Sequence, residues 1–144
     1  MVCKNGDLPH DKANSDPELV ELGLADSPEM LALATLTKPG PFGTRTHELG
    51  AYVGIRCEGK LVAMAGVRLK VPGYTEVSAV CTHPNHIGKG YARLLMTEIM
   101  RRIRERGETP MLHVRQDNAR AVELYERLGF RTRKQMHFAV LRKI

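Results

Sequence analysis

The chain has 144 residues, 42% of them hydrophobic and 26% charged, a composition and length that suit one globular domain able to bury roughly two thirds of its unfolded surface, and that exclude wholesale disorder. The net charge of +6 is uneven: residues 1–87 carry 8 Lys/Arg against 10 Asp/Glu and residues 88–144 carry 14 against 6, so a basic C-terminal half faces either an anionic partner or simply solvent. Aromatic residues are 5% with no Trp, which disfavours a stacking platform for single-stranded nucleic acid, and no apolar run approaches the about 20 residues of a membrane span.

Residues 1–17 read as a flexible leader rich in Asp, Asn, Pro and Lys. It has no apolar h-region, so secretion is disfavoured and a cytoplasmic protein is expected. Glu18–Leu24 alternates as a first strand. Asp26-Ser27-Pro28-Glu29 marks a helix start, a cap residue ahead of a first-turn proline, and the helix stops before Lys38-Pro39-Gly40-Pro41. A loop or short helix then runs to about Gly50. Tyr52–Cys57, Leu61–Val71 and Thr75–Thr82 are three strand-like runs joined at Glu58-Gly59-Lys60 and Pro72-Gly73, the pattern of an antiparallel meander. Tyr91–Arg106 is an amphipathic helix with Leu95, Ile99 and Ile103 on one face and Arg101, Arg102, Arg104 and Arg106 facing solvent. Met111–Arg115 is a short strand. Ala119–Leu128 is a second amphipathic helix between a capping Asn118 and Gly129. The tail from Phe130 to Arg142 alternates enough for one or two closing strands.

Between the third meander strand and the long helix lies His83-Pro84-Asn85-His86-Ile87-Gly88-Lys89-Gly90-Tyr91-Ala92-Arg93. Two glycines let successive backbone N–H groups approach a ligand, and the helix N-terminus adds partial positive charge, so the segment reads either as an anion cradle or as an ordinary strand-to-helix turn. It is neither a Walker A loop nor a dinucleotide fingerprint. His83 and His86 form HxxH without the helical HExxH context, so no metal site is expected. The three cysteines, Cys3, Cys57 and Cys81, are odd in number and lack a CxxC pair, as expected of reduced, packed thiols.

The cradle is followed, about 30 residues on, by Asn118-Ala119-Arg120-Ala121-Val122-Glu123-Leu124-Tyr125-Glu126-Arg127-Leu128-Gly129-Phe130. A strand with HPxxxxGKGYA, then a strand and NxxAxxLYxxxGF, closely resembles the GNAT (Gcn5-related N-acetyltransferase) superfamily, and SAVCTHP with GKGYA resembles its FR47-like branch. The resemblance runs from about residue 18 to the end. It implies an α/β fold built as a central, mostly antiparallel sheet flanked by helices and splayed at the middle strands, in one domain over residues 18–144. It further implies acetyl-CoA as co-substrate and a primary amine, on a small molecule, peptide or protein, as acceptor, with no metal, no nucleic acid and no membrane, and it leaves a homodimer open.

Residue by residue, the resemblance places the pyrophosphate at Ile87, Gly88, Lys89, Gly90, Tyr91, Ala92 and Arg93, with Ile87 standing where the family has Arg or Gln. It places the pantetheine arm along Val80, Cys81 and Thr82, with Asn118 and Tyr125 also on the cofactor side. Direct transfer needs an uncharged amine, a polarised thioester carbonyl and a proton for the departing thiolate. Tyr125 is the candidate proton donor, its other role being packing beside Val122 and Leu128. Glu76 is the candidate general base, its alternatives being a surface strand residue or a partner for a cationic acceptor. Alternation places Glu76 on one face with Ser78, Val80 and Thr82. Cys81 is expected to be packed rather than nucleophilic. Two rival functions are a CoA-binding sensor without turnover and a nucleic-acid-binding module using the basic half.

Overall fold

The computed structural model describes residues 1–4, 18–139, 141 and 143. One five-stranded sheet holds it together: β1 (Glu18–Leu22), β2 (Tyr52–Cys57), β3 (Lys60–Val71), β4 (Tyr74–Thr82) and β5 (Thr109–Met111), in spatial order β1-β2-β3-β4-β5. The first four are antiparallel neighbours and β5 joins β4 in parallel. The β2–β3 hairpin turns on Glu58 and Gly59, both at positive φ (51° and 77°), the backbone that matches strand twist in a two-residue turn.

Three helices cover the two faces: α1 (Ser27–Thr37), α2 (Tyr91–Glu105) and α3 (Ala119–Arg127). α1 begins after Asp26, with Pro28 in its first turn, and ends at a left-handed Lys38 before Pro39. It packs Met30, Leu33 and Ala34 on Tyr52, Leu61, Met64, Ala79 and Cys81. α2 places Leu95, Met96, Ile99, Met100 and Ile103 on the opposite face, against Val53, Ile55, Ala63, Ala65, Val67 and Val77, with Leu128 and Phe130 from the end of α3. At about 1.5–3 kcal/mol for each fully buried large apolar side chain, this second layer is the main source of stability. No helix among the described residues is long and apolar enough to cross a membrane.

Several elements differ from expectation. The first strand ends at Leu22, and Leu24 begins a short 3-10 turn with its side chain in solvent. β5 is Thr109–Met111 and not Met111–Arg115. Residues 1–4 are built into the fold rather than leading up to it: Val2 bridges Met111 on one side and Arg131 on the other, and Cys3 is wholly buried. The rest of the expected leader, residues 5–17, lies outside the described residues. That N-terminal segment occupies the free edge of β5, where a closing strand would dock. Beyond Arg131 the described tail carries no strand, and Met136 and Phe138 are exposed.

Candidate active site

β4 is the strand on which everything turns. Its ladder with β3 slips between Met64 and Gly66, and Ala79 sits in the slip at φ 54°, a bulge that rotates the rest of the strand. Val77 and Val80 therefore both pack on the α2 side, while Ala79 and Cys81 face α1. The alternation expected from Glu76 through Val80 and Thr82 is thus broken: the α1 face receives Cys81 where unbroken alternation would place Val80.

On the other edge of β4, pairing with β5 lasts only from Tyr74↔Thr109 to Glu76↔Met111. β4 continues to Thr82, so Val80, Cys81 and Thr82 lie where the two strands have parted. Backbone groups on that edge are open to an extended ligand arm, as in strand addition. The parted strands lead to the cradle. Gly88 and Gly90 hold φ of 86° and 79°, and a Cβ built on either meets nothing within 4 Å. Gly90 is the N-cap of α2 and has no side chain to satisfy the first-turn N–H groups. The loop is exposed, Ile87 included. The uncapped start of α2 and the open space at Gly88 and Gly90 suit an anion such as a pyrophosphate.

The loop histidines shape this cradle. The ring Nδ1 of His83 accepts from the Asn85 N–H (3.1 Å), and His86 stacks on Tyr91 with ring centroids 6.1 Å apart. Among the described residues no group of three or more His, Cys, Asp or Glu is placed to hold a metal ion.

On the α1 face, where the strands part, Glu76 is 1% exposed and carries three hydrogen bonds. Arg68 Nε and one terminal nitrogen grip its two oxygens at 3.0 and 2.7 Å, and His113 Nδ1 lies 2.7 Å from Oε1. Burial pushes the Glu76 carboxyl up, but the bonds from Arg68 and His113 outweigh it and hold the group below the ordinary carboxylate range. Glu76 is therefore an ionised, enclosed carboxylate and not an exposed strand residue. Behind this pair stands Tyr52, whose ring covers Gly66 so closely that a Cβ there would lie 2.4 Å away. Its hydroxyl is buried without a hydrogen-bond partner, and burial raises its pKa to about 12.

Tyr125 approaches from the other face. It belongs to the α2-side core, edge-on to Phe130 at 6.1 Å. Burial raises its pKa, with the Cys81 thiol on β4 adding to the rise, so it stays protonated, the state a proton donor requires. Asn118 caps α3 by accepting from the Ala121 N–H at 3.2 Å. Burial pushes the Cys81 thiol up to about 11, so it remains a packed thiol and not a thiolate nucleophile.

Sequence reasoning did not single out Arg68, His113 or Tyr52 as site residues. An arginine inside the apolar run of β3 and a histidine between Leu112 and Val114 were the available signals, since a polar residue in an apolar strand needs a partner. Five arginines of the basic half are paired with carboxylates: Arg101 with Glu98 and Glu105, Arg102 with Glu98 and Glu21, Arg106 with Glu108, Arg115 with Asp117 and Arg127 with Glu123.

A sheet of this order, parted between β4 and β5 beside a glycine cradle, is the GNAT fold. The chain superimposes with a TM-score of 0.82 on a putative acetyltransferase of the GNAT family from Novosphingobium aromaticivorans, at 43% identity over 92% of this chain and 58% of that one. The family model described as FR47-like protein matches residues 52–139, and the chain belongs to that family. It is also 39% identical over 99 residues to the N-alpha-acetyltransferase RimI of Mycobacterium tuberculosis, covering 64% of this chain and 61% of that protein. The ribosomal-protein-S18-alanine N-acetyltransferase of Escherichia coli shares the fold at 24% identity and a TM-score of 0.73, over 83% of this chain and 80% of that one. This chain thus spans about three fifths of the length of the Novosphingobium and Mycobacterium proteins.

Proposed function

We propose that the protein is an acetyl-CoA-dependent N-acetyltransferase that moves the acetyl group directly to a primary amine, and that the amine is the α-amine at the start of a peptide or protein chain. The observation that carries the reading is the parting of β4 from β5 beside the open N-terminus of α2. A pyrophosphate fits on the backbone of Gly88–Arg93 and the pantetheine arm along Val80–Thr82, which directs the thioester into the gap. The α-amine preference rests on the likeness to a relative named for that activity.

Within this reading Ile87, Lys89, Tyr91 and Ala92 frame the cradle and Asn118 fixes the start of the helix that brings Tyr125 to the thioester. The amine nitrogen attacks the thioester carbonyl and loses one proton to water, and the tetrahedral adduct collapses with loss of the thiolate, which takes the Tyr125 proton. Glu76 is the acidic centre on the acceptor side and favours a cationic amine approaching from the α1 face. A nucleic-acid-binding role gains little support from arginines that already pair with carboxylates of this chain.

Thiol release from acetyl-CoA tests the reading, with an alanine-initiated hexapeptide as acceptor and the same peptide blocked at its N-terminus but carrying a lysine as control. Release with the free α-amine is expected. Calorimetric binding of acetyl-CoA without release on any amine would leave a sensor, and no binding at all would remove the cofactor assignment too.

A further inference from the structure

We propose that the basic cleft where the N-terminal residues meet the segment after α3 is a docking site for a carboxylate-rich stretch of the acceptor chain, downstream of its reacting α-amine. The inference rests on the acetyl-transfer reading above and adds to it the charge of the acceptor.

The cleft has a volume of about 390 Å³ and is lined by Val2, Lys4, Gly129, Arg131, Thr132 and Arg133. Its seam is closed by backbone: the Val2 N–H donates to the Arg131 carbonyl at 3.0 Å, and the Arg131 N–H to the Val2 carbonyl at 2.9 Å. Three of the six lining residues are cations and none is an acid. Nearby acids are otherwise engaged or turned away. Glu123 is held by Arg127, and Glu126 meets Arg131 through its backbone carbonyl. Among the described residues no carboxylate pairs with Lys4, Arg131 or Arg133.

Two of the cations are already aimed. Arg131 Nη1 donates to the carbonyls of Glu126 and Phe130 at 3.0 and 2.8 Å, which fixes the guanidinium and leaves its Nε and Nη2 for a ligand. Arg133 lies over the Tyr74 ring, its guanidinium carbon 5.9 Å from the centroid. That contact holds the group without neutralising it. Fixed guanidiniums lose little freedom on binding, and their forked donors match a carboxylate.

Tyr74 connects the cleft to the reaction site. Pairing of β4 with β5 runs unbroken from Tyr74 to Glu76, so these two residues share a face and stand about 6–7 Å apart along the strand. Arg133 is therefore on the face of Glu76, whose own charge is balanced by Arg68 and His113. An extended acceptor advances about 3.3 Å per residue. With its α-amine at the gap beyond Glu76, and running toward the start of β4, it brings roughly its third to fifth residues over Tyr74 and the cleft. Carboxylates there meet Arg133, then Arg131 and Lys4. A nucleic-acid strand fits less well, because the Tyr74 face on which a base would stack is covered by Arg133.

The test uses the full chain and two alanine-initiated hexapeptides that differ only at positions three to five, glutamates in one and lysines in the other. In thiol release from acetyl-CoA at low salt, the glutamate peptide should show a KM about five- to tenfold lower at similar kcat. Added salt should shrink the difference. Arg133→Glu should erase or reverse the preference with kcat and thermal midpoint unchanged, and Lys4→Glu should weaken it. Fluorescence anisotropy of the same peptides, labelled and blocked at the N-terminus so that no transfer occurs, should show the same order of affinity. Equal KM for both peptides, or a preference untouched by Arg133→Glu, overturns the proposal and leaves acetyl transfer standing. Should Arg133→Glu fail to fold, a preference untouched by Lys4→Glu overturns it equally. Displacement of the blocked glutamate peptide by an equal concentration of a single-stranded dodecanucleotide overturns it in favour of a nucleic-acid surface. Absence of turnover with every free amine overturns the transfer reading. Anisotropy then decides the cleft alone: tighter binding of the blocked glutamate peptide supports it, and equal binding of the two overturns it.

Discussion

Tyr125 is a packing residue by its contacts and, in the proposed reading, the proton donor as well. Its ring belongs to the core beneath α3, beside Leu124 and edge-on to Phe130, while burial and the Cys81 thiol keep its hydroxyl protonated. The two duties separate cleanly by substitution. Tyr125→Phe keeps the ring and removes the O–H, so kcat is expected to fall about 10²–10⁴-fold with acetyl-CoA affinity and thermal midpoint nearly unchanged. Steady-state kinetics beside calorimetry checks this, and a variant of full activity would leave Tyr125 with packing alone.

At the scale of the element, the cradle and α2 depend on each other. Gly90 is the N-cap of α2 and, in the proposed reading, borders the pyrophosphate, at φ 79° with nothing within 4 Å of a would-be Cβ. Gly90→Val would fill that space and force a β-branched residue into left-handed backbone, at about 1–2 kcal/mol of stability. The expected outcome is a folded protein with a lower melting temperature and at least tenfold weaker acetyl-CoA binding, about 1.4 kcal/mol. A melt without loss of binding would place the pyrophosphate elsewhere. The buried stripe of α2, Leu95 to Ile103, is what keeps the helix start in register with the end of β4.

Across the whole molecule, carboxylates tie separate elements together, and three of those that do so are held below their ordinary pKa. Glu76 joins β4 to β3 and to the segment after β5, Asp26 joins the start of α1 to β2 through Arg56 at 2.6 Å, and Glu108 joins β5 to Thr75. Lowered values belong to Glu76 (burial opposed and outweighed by Arg68 and His113), Asp26 (the Gly23 N–H, then Arg56) and Glu108 (Thr75, then Arg106). A depressed folded value means that stability is present above the unfolded value, 4.5 for a glutamate, and is lost as pH falls through the folded one. The thermal midpoint is therefore expected to hold from neutrality to about pH 5 and to drop steeply towards about pH 3. A midpoint flat to pH 3, measured by calorimetry, would mean that these contacts do not bind the elements together.

Local signals in the sequence determined the meander, both long helices and the cradle, because each rests on short-range rules. Gly59 makes a hairpin, Pro28 and Pro39 bracket α1, the apolar stripe from Leu95 to Ile103 makes α2, and Gly88 and Gly90 need no distant partner to turn. The tertiary structure decided what depends on contacts across the sheet. The bulge at Ala79 arises from its ladder with Met64 and Gly66, and it reverses which of Val80 and Cys81 faces α1. The N-terminal Val2 takes the β5 edge that the tail pattern claimed, since strand pairing satisfies whichever backbone arrives there. The joining of Arg68, Glu76 and His113 is likewise invisible in one dimension. They come from β3, β4 and the segment after β5, and only pairing in register, followed by burial that makes an unpartnered charge costly, brings them to one point.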